Sequence, residues 1–186
     1  MRTFNRAAMI LVAAQLLSGC GSLLVSPEPP QRTYWLEATP VAAPVTANLN
    51  ISLISALDSN HIWVLQRDGR LNYYAGAAWP DRLGRLLPDV IMRALPQAIG
   101  TQSAALDVVI ERFFAVEGPS DVPASVELQA LIRGPAGSSC RLLLDTRPAT
   151  GRLRDIAAAH QQVLDQLVAE LRDLAAIAAK EQPLDC

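Results

Sequence analysis

The residues able to do chemistry are few. Two histidines are present, His61 and His160, 99 positions apart. A nucleophile–base pair or a zinc site would need a partner nitrogen, thiol or carboxylate near one of them. The chain contains no G-x-S-x-G, no glycine-rich phosphate loop and no H-E-x-x-H. His160 falls on the apolar stripe of a C-terminal helix, which reads as a packed, partner-satisfied core histidine rather than a ligand. His61 ends the polar corner Leu57-Asp58-Ser59-Asn60-His61 and reads as solvated. Cys140 has no histidine near it in sequence and is a poor thiol nucleophile. Glu111-Arg112 is either an internal ion pair or the outward face of a sheet edge. The expectation is no catalytic residue, no metal site and no cofactor.

The cysteines carry more information. Cys20 closes Leu17-Ser18-Gly19-Cys20, preceded by an apolar run from Ala7 to Leu17 and by Arg2 and Arg6. That run is eleven residues, too short to cross a hydrocarbon layer of roughly 30 Å as a helix. The pattern resembles a bacterial lipobox, in which the cysteine is acylated and becomes the first residue. Residues 1–19 are then a lipoprotein signal peptide and Cys20 the lipidation site. Gly21 rather than Asp follows it, which by the usual sorting rule directs the protein to the outer membrane. Residues 20–32 form a lipidated tether that Pro27, Pro29 and Pro30 keep extended. Cys140 and Cys186 remain, in a compartment that permits disulfides. Either they bridge and pin the C-terminus to a strand, or both are free.

Five of the nine aromatics are Trp35, Trp63, Tyr73, Tyr74 and Trp79. Two readings stand: they fill the interior under a helix, or Trp63, Tyr73, Tyr74 and Trp79 meet a protein partner or lipid at an exposed edge.

These residues sit on a recognisable series of elements. Short strands are expected at Thr33 to Glu37 and Leu49 to Leu57, with a Pro/Ala loop of little order from Ala38 to Ala47 between them. Ile62 to Arg67 and Arg70 to Tyr74 flank Asp68-Gly69, the pair expected in a two-residue type I′ hairpin turn. A helix follows from Trp79-Pro80-Asp81, with Leu83, Leu86, Leu87, Val90, Ile91, Ala94 and Leu95 on one face. Pro88 inside it predicts a kink or two short helices, and Pro96 ends it. Leu106 to Val116, Ser125 to Arg133 and Ser139 to Arg147 read as an antiparallel meander. In the first, Leu106, Val108, Ile110, Phe114 and Val116 are expected inward. A long helix closes the chain from about Arg154 to Lys180, its stripe running Ile156, His160, Val163, Leu164, Leu167, Leu171, Leu174 and Ala178. The order β-β-β-β-α-β-β-β-α predicts a single α+β domain over residues 33–186, with a mostly antiparallel sheet and two amphipathic helices packed on one face. Removing residues 1–19 takes two arginines from a formal net charge of −2, leaving about −4. That balance argues against a nucleic-acid partner.

With these residues in place, the chain resembles the ABC-type transport auxiliary lipoprotein family, which includes paraquat-inducible protein C. The resemblance rests on the lipobox, on Tyr34 and Leu36, and on Leu57-Asp58 through Ile62, Val64 and Arg67. It continues through Arg70-Leu71, Tyr73 and the Ala78-Trp79 step into a helix carrying Leu83, Leu86 and Leu87. Pro80 departs from the small or acidic residue expected there. The resemblance implies a non-enzymatic, lipid-anchored periplasmic subunit that docks an MCE-domain protein of an ABC transport system. Such systems move phospholipid or other hydrophobic molecules between the inner and outer membranes. A homo-oligomeric ring matching the MCE ring is a further implication. The competing expectation is a structural or assembly lipoprotein that supports an outer-membrane barrel or associates with the cell wall.

Overall fold

The computed structural model describes residues 31–41, 44–97, 104–119, 125–184 and 186. The signal segment, Cys20 and the tether as far as Pro30 lie outside the described residues. The strands are β1 (Arg32–Thr33), β2 (Asn48–Leu53), β3 (His61–Leu65), β4 (Leu71–Ala78), β5 (Ala105–Val116), β6 (Ser125–Arg133) and β7 (Ser139–Thr146). The helices are α1 (Leu83–Ala94) and α2 (Leu153–Ala178). The fold is α+β, on one seven-stranded sheet.

Everything is arranged about β5. From Asp107 to Val116 it pairs antiparallel with β6, which pairs antiparallel with β7. Its other edge is shared: β2 lies parallel to Ala105–Ile110, and β3 lies parallel to Ala115 and Val116. β4 pairs antiparallel with β3, and β1 parallel with β4. The sheet is therefore mixed. The expected meander is present in its β5–β6–β7 half, while β2 and β3 join β5 by crossover.

β5 holds one correction. The register shifts between Ile110 and Arg112, a bulge at Glu111. An extra residue reverses the alternation beyond it. Phe113 and Ala115 join the core cluster, at 1% and 0% exposure, while Phe114 is buried outside that cluster and Val116 is half-buried. β6 has no such interruption, and Val126, Leu128, Ala130 and Ile132 are all buried. The opposite face carries cross-strand ion pairs: Arg112 pairs with Glu127 and Glu111 with Arg141. Glu111-Arg112 is thus an outward pair of residues bonded across strands.

Both helices bury their stripes in one hydrophobic cluster with the inward strand residues. Every residue expected on the α2 stripe is buried. α1 is a single helix that contains Pro88 but starts later than expected, because β4 runs on to Ala78. The expected strand at Thr33 to Glu37 shrinks to two residues. Its partner β4 ends at Ala78, so the ladder closes with the Tyr34 N–H on Ala78 O at 2.9 Å. Nor is the Pro/Ala segment loose where described. Val41 and Val45 donate backbone hydrogen bonds to Ala94 and Pro96, both at 2.9 Å, and Leu36, Val45 and Ala47 are buried. The hairpin turn also differs. Gln66 N–H bonds Arg70 O and Gly69 N–H bonds Gln66 O, with only Gly69 at positive φ (+82°). This is a three-residue loop with glycine in the left-handed position, not type I′.

Candidate functional site

The β3–β4 pair builds an aromatic corner on the outer face. Trp63 stands opposite Tyr73. Two residues further back along β3, His61 pairs with Ala78, while β4 has advanced five. The surplus is taken up by a bulged stretch containing Gly76 at φ +72°. His61 and Trp63 are two apart on one strand and so share a face. The His61 ring stacks on Tyr73 at 4.2 Å and 12°, and meets Trp63 edge-on at 5.5 Å. Trp63 and Tyr73 meet edge-on at 6.2 Å. The Trp63 indole N–H donates to Leu57 O at 3.3 Å, which fixes the ring. Tyr73 is 48% exposed, and His61 and Trp63 are half-buried.

The four aromatics expected at a contact therefore separate. Trp63 and Tyr73 come together at the surface, and His61, read as solvated, joins them. The signal for His61 was its i, i+2 spacing from Trp63. Tyr74 points the other way and is half-buried against the core. Burial, and then the charge of Glu117, raise its hydroxyl pKa above the usual tyrosine value. Trp79 follows the first of the two readings: at 2% exposure it lies in the interior. It follows β4 just where the chain turns toward α1, and its side chain belongs to the core cluster that both helices share. Trp35, 70% exposed, stands apart from this group beyond β1.

Trp79 and Phe113 enclose His160, with ring centroids 5.3 and 4.9 Å from the imidazole. His160 Nδ1 bonds Ile156 O at 2.9 Å, one helical turn back. Its Nε2 is buried without a partner. The expected core histidine is there, but only one of its two nitrogens is satisfied. Burial lowers its pKa to about 4, opposed by the Ile156 hydrogen bond. A neutral imidazole sealed in the core has no access to substrate.

Two further features hold the corner and the tail. Asp58, in the turn after β2, caps α1 from outside the helix. Its Oδ1 accepts the Gly84 N–H at 2.9 Å and its Oδ2 pairs with Arg82 at 3.0 Å. Ser59 O accepts the Leu83 N–H at 2.9 Å. At the other end, Cys140 and Cys186 are joined as a disulfide with Cα atoms 5.6 Å apart. Leu184 packs so closely on Gly134 that a Cβ there would lie 2.7 Å from Leu184 Cδ1.

Among the described residues no three His, Cys, Asp or Glu side chains are grouped to hold a metal ion. No described helix is long and apolar enough to cross a membrane. No curated protein matches the chain. A crystal structure of a Xanthomonas campestris protein of the DUF330 family is similar in fold, with a TM-score of 0.64 and 23% identity. The match covers 80% of this chain and 97% of that one. A second solved structure, described only as an uncharacterized protein, has a TM-score of 0.55 at 13% identity, covering 76% of this chain and 98% of its own. The model of the ABC-type transport auxiliary lipoprotein component matches residues 34–172, which take in the aromatic corner, the Asp58 cap and His160. On that match, the chain belongs to the ABC-type transport auxiliary lipoprotein family.

Proposed function

We propose that the mature chain is a lipid-anchored, non-enzymatic accessory subunit of an MCE-type ABC transport system. It moves no substrate by reaction; it docks an MCE-domain protein and so supports passage of phospholipid or other hydrophobic molecules between the two membranes. Acyl groups on Cys20 hold it to the outer membrane. Each buried CH₂ contributes about 0.8 kcal/mol, so several chains make the attachment permanent in practice. The extended tether then lets the domain stand on the order of 30–40 Å from the surface, at roughly 3 Å per residue.

The observation that carries this reading is the aromatic corner. His61, Trp63 and Tyr73 form a pre-stacked, partly exposed group on rigid strands. Tyr and Trp on a stiff support lose little conformational entropy on binding, and such residues anchor protein interfaces. The histidine that a reaction would call on, His160, is buried in the core.

Affinity purification of the full lipidated chain from its own envelope tests the reading. Recovery of the MCE subunit with its permease is the expected result. Recovery of barrel-assembly proteins in their place would contradict it.

A further inference from the structure

The edge of β2 away from β5 carries no strand among the described residues. In its parallel ladder, Asn48 N–H bonds Ala104 O at 3.0 Å and Ile54 N–H bonds Ile110 O at 3.1 Å. The alternation of strand amides then directs those of residues 48, 50, 52 and 54 toward β5. The N–H and C=O groups of Ile51 and Leu53 point to the open side, and no described group bonds them.

The open edges of β4 and β7 differ. On β4, Asn72 Oδ1 accepts the Tyr73 N–H at 2.8 Å, and β1 covers Ala77 and Ala78. On β7, Asp145 stands two residues from Leu143, while Arg141 reaches back across β6 to Glu111 at 3.3 Å. Charges of this kind oppose strand addition.

A cleft of about 540 Å³ runs beside the β2 edge, between Ile51, Leu53 and Ser55 on one side and Asp58, Arg82 and Arg85 on the other. Its charges are already matched. Arg82 pairs with Asp58 at 3.0 Å, and Arg85 with Asp81 at 3.2 Å. The α1 N-terminus is also occupied, since Asp58 and Ser59 take the first amides. An anionic ligand therefore meets no free positive group. What remains unsatisfied is backbone, beside the apolar side chains of Ile51 and Leu53. The turn Ser55–Leu57 links the cleft to the aromatic corner, because Leu57 O receives the Trp63 indole N–H.

We infer that an uncharged, extended segment of the MCE-domain partner adds to the free edge of β2 as an extra strand. This rests on the docking reading above and specifies how the docking is made. Backbone groups supply the attraction and the cleft accepts alternate apolar side chains.

Residue-resolved amide hydrogen exchange tests it, on the full lipidated chain in detergent with and without the periplasmic region of the MCE subunit. Exchange at Ile51 and Leu53 is expected to slow by about tenfold, the scale of one added backbone hydrogen bond. Ile51→Pro, which removes one edge donor, is expected to weaken the complex about fivefold on the same scale. The exchange measurement on the unaltered chain decides should that variant fail to fold. A complex that forms with unchanged exchange at Ile51 and Leu53 overturns the inference and leaves the docking reading standing. Protection that grows with the concentration of this chain alone overturns it in favour of a second copy. Absence of any complex overturns both.

Discussion

Gly84→Ala probes the capping of α1 most sharply, because its effect should change sign with Asp58. An alanine Cβ at position 84 would lie 2.6 Å from Asp58 Oδ1 and 2.9 Å from its Cγ. The carboxylate would have to swing away, although it holds the Gly84 N–H at 2.9 Å and Arg82 at 3.0 Å. Losing such a cap costs about 1–2 kcal/mol. Replacing glycine by alanine in a helix returns about 1 kcal/mol. The Arg82 pair adds little, since Arg82 is 66% exposed. In the native background Gly84→Ala should therefore destabilise by about 0–1 kcal/mol. Asp58→Ala alone should cost about 1–2 kcal/mol. Once Asp58 is gone, Gly84→Ala should stabilise by about 1 kcal/mol. Urea unfolding of the four proteins, followed by tryptophan fluorescence, measures the cycle. Additive effects, with Gly84→Ala equally unfavourable in both backgrounds, would refute the capping account.

His160 makes stability depend on pH. Its pKa falls from 6.5 to about 4 in the fold, so its contribution is complete above 6.5 and is lost as pH falls toward 4. About 2 kcal/mol should disappear between pH 7 and pH 5, and His160→Phe should flatten that part of the profile of urea midpoints. The Cys140–Cys186 bridge closes a separation of 46 residues, worth about 4 kcal/mol on the loop-entropy scale. Mass spectrometry after alkylation should find no free thiol, and reductant should lower the melting temperature; two alkylated cysteines would exclude the bridge. Cys20→Ala should release the protein from membranes on fractionation, and a variant that still floats with them would refute lipid anchoring.

The helices were legible because their burial is a one-dimensional pattern. The stripe from Ile156 to Ala178 could be counted at a period of 3.6, and β6 at a period of 2, with nothing inserted to disturb either. β5 misled the count because a bulge at Glu111 costs one residue and no visible signature. The parallel pairing of β2 and β3 with β5 joins segments some fifty residues apart, as in Asn48↔Ala105, and alternation says nothing about partners. Asp58 was seen only as part of a polar corner; its role depends on Gly84, 26 residues on. At the aromatic corner, Trp63 and Tyr73 were recognisable by type. Separating them from Trp79 required knowing that β4 continues to Ala78 and carries Trp79 inside.

The affinity of the full lipidated chain for the periplasmic MCE subunit, measured beside a Trp63→Ala/Tyr73→Ala variant of unchanged circular dichroism, decides whether the domain docks through its aromatic corner. Truncating two interface aromatics should cost about 2 kcal/mol or more, a loss of some thirtyfold. Equal affinity of the two proteins would contradict docking through this corner.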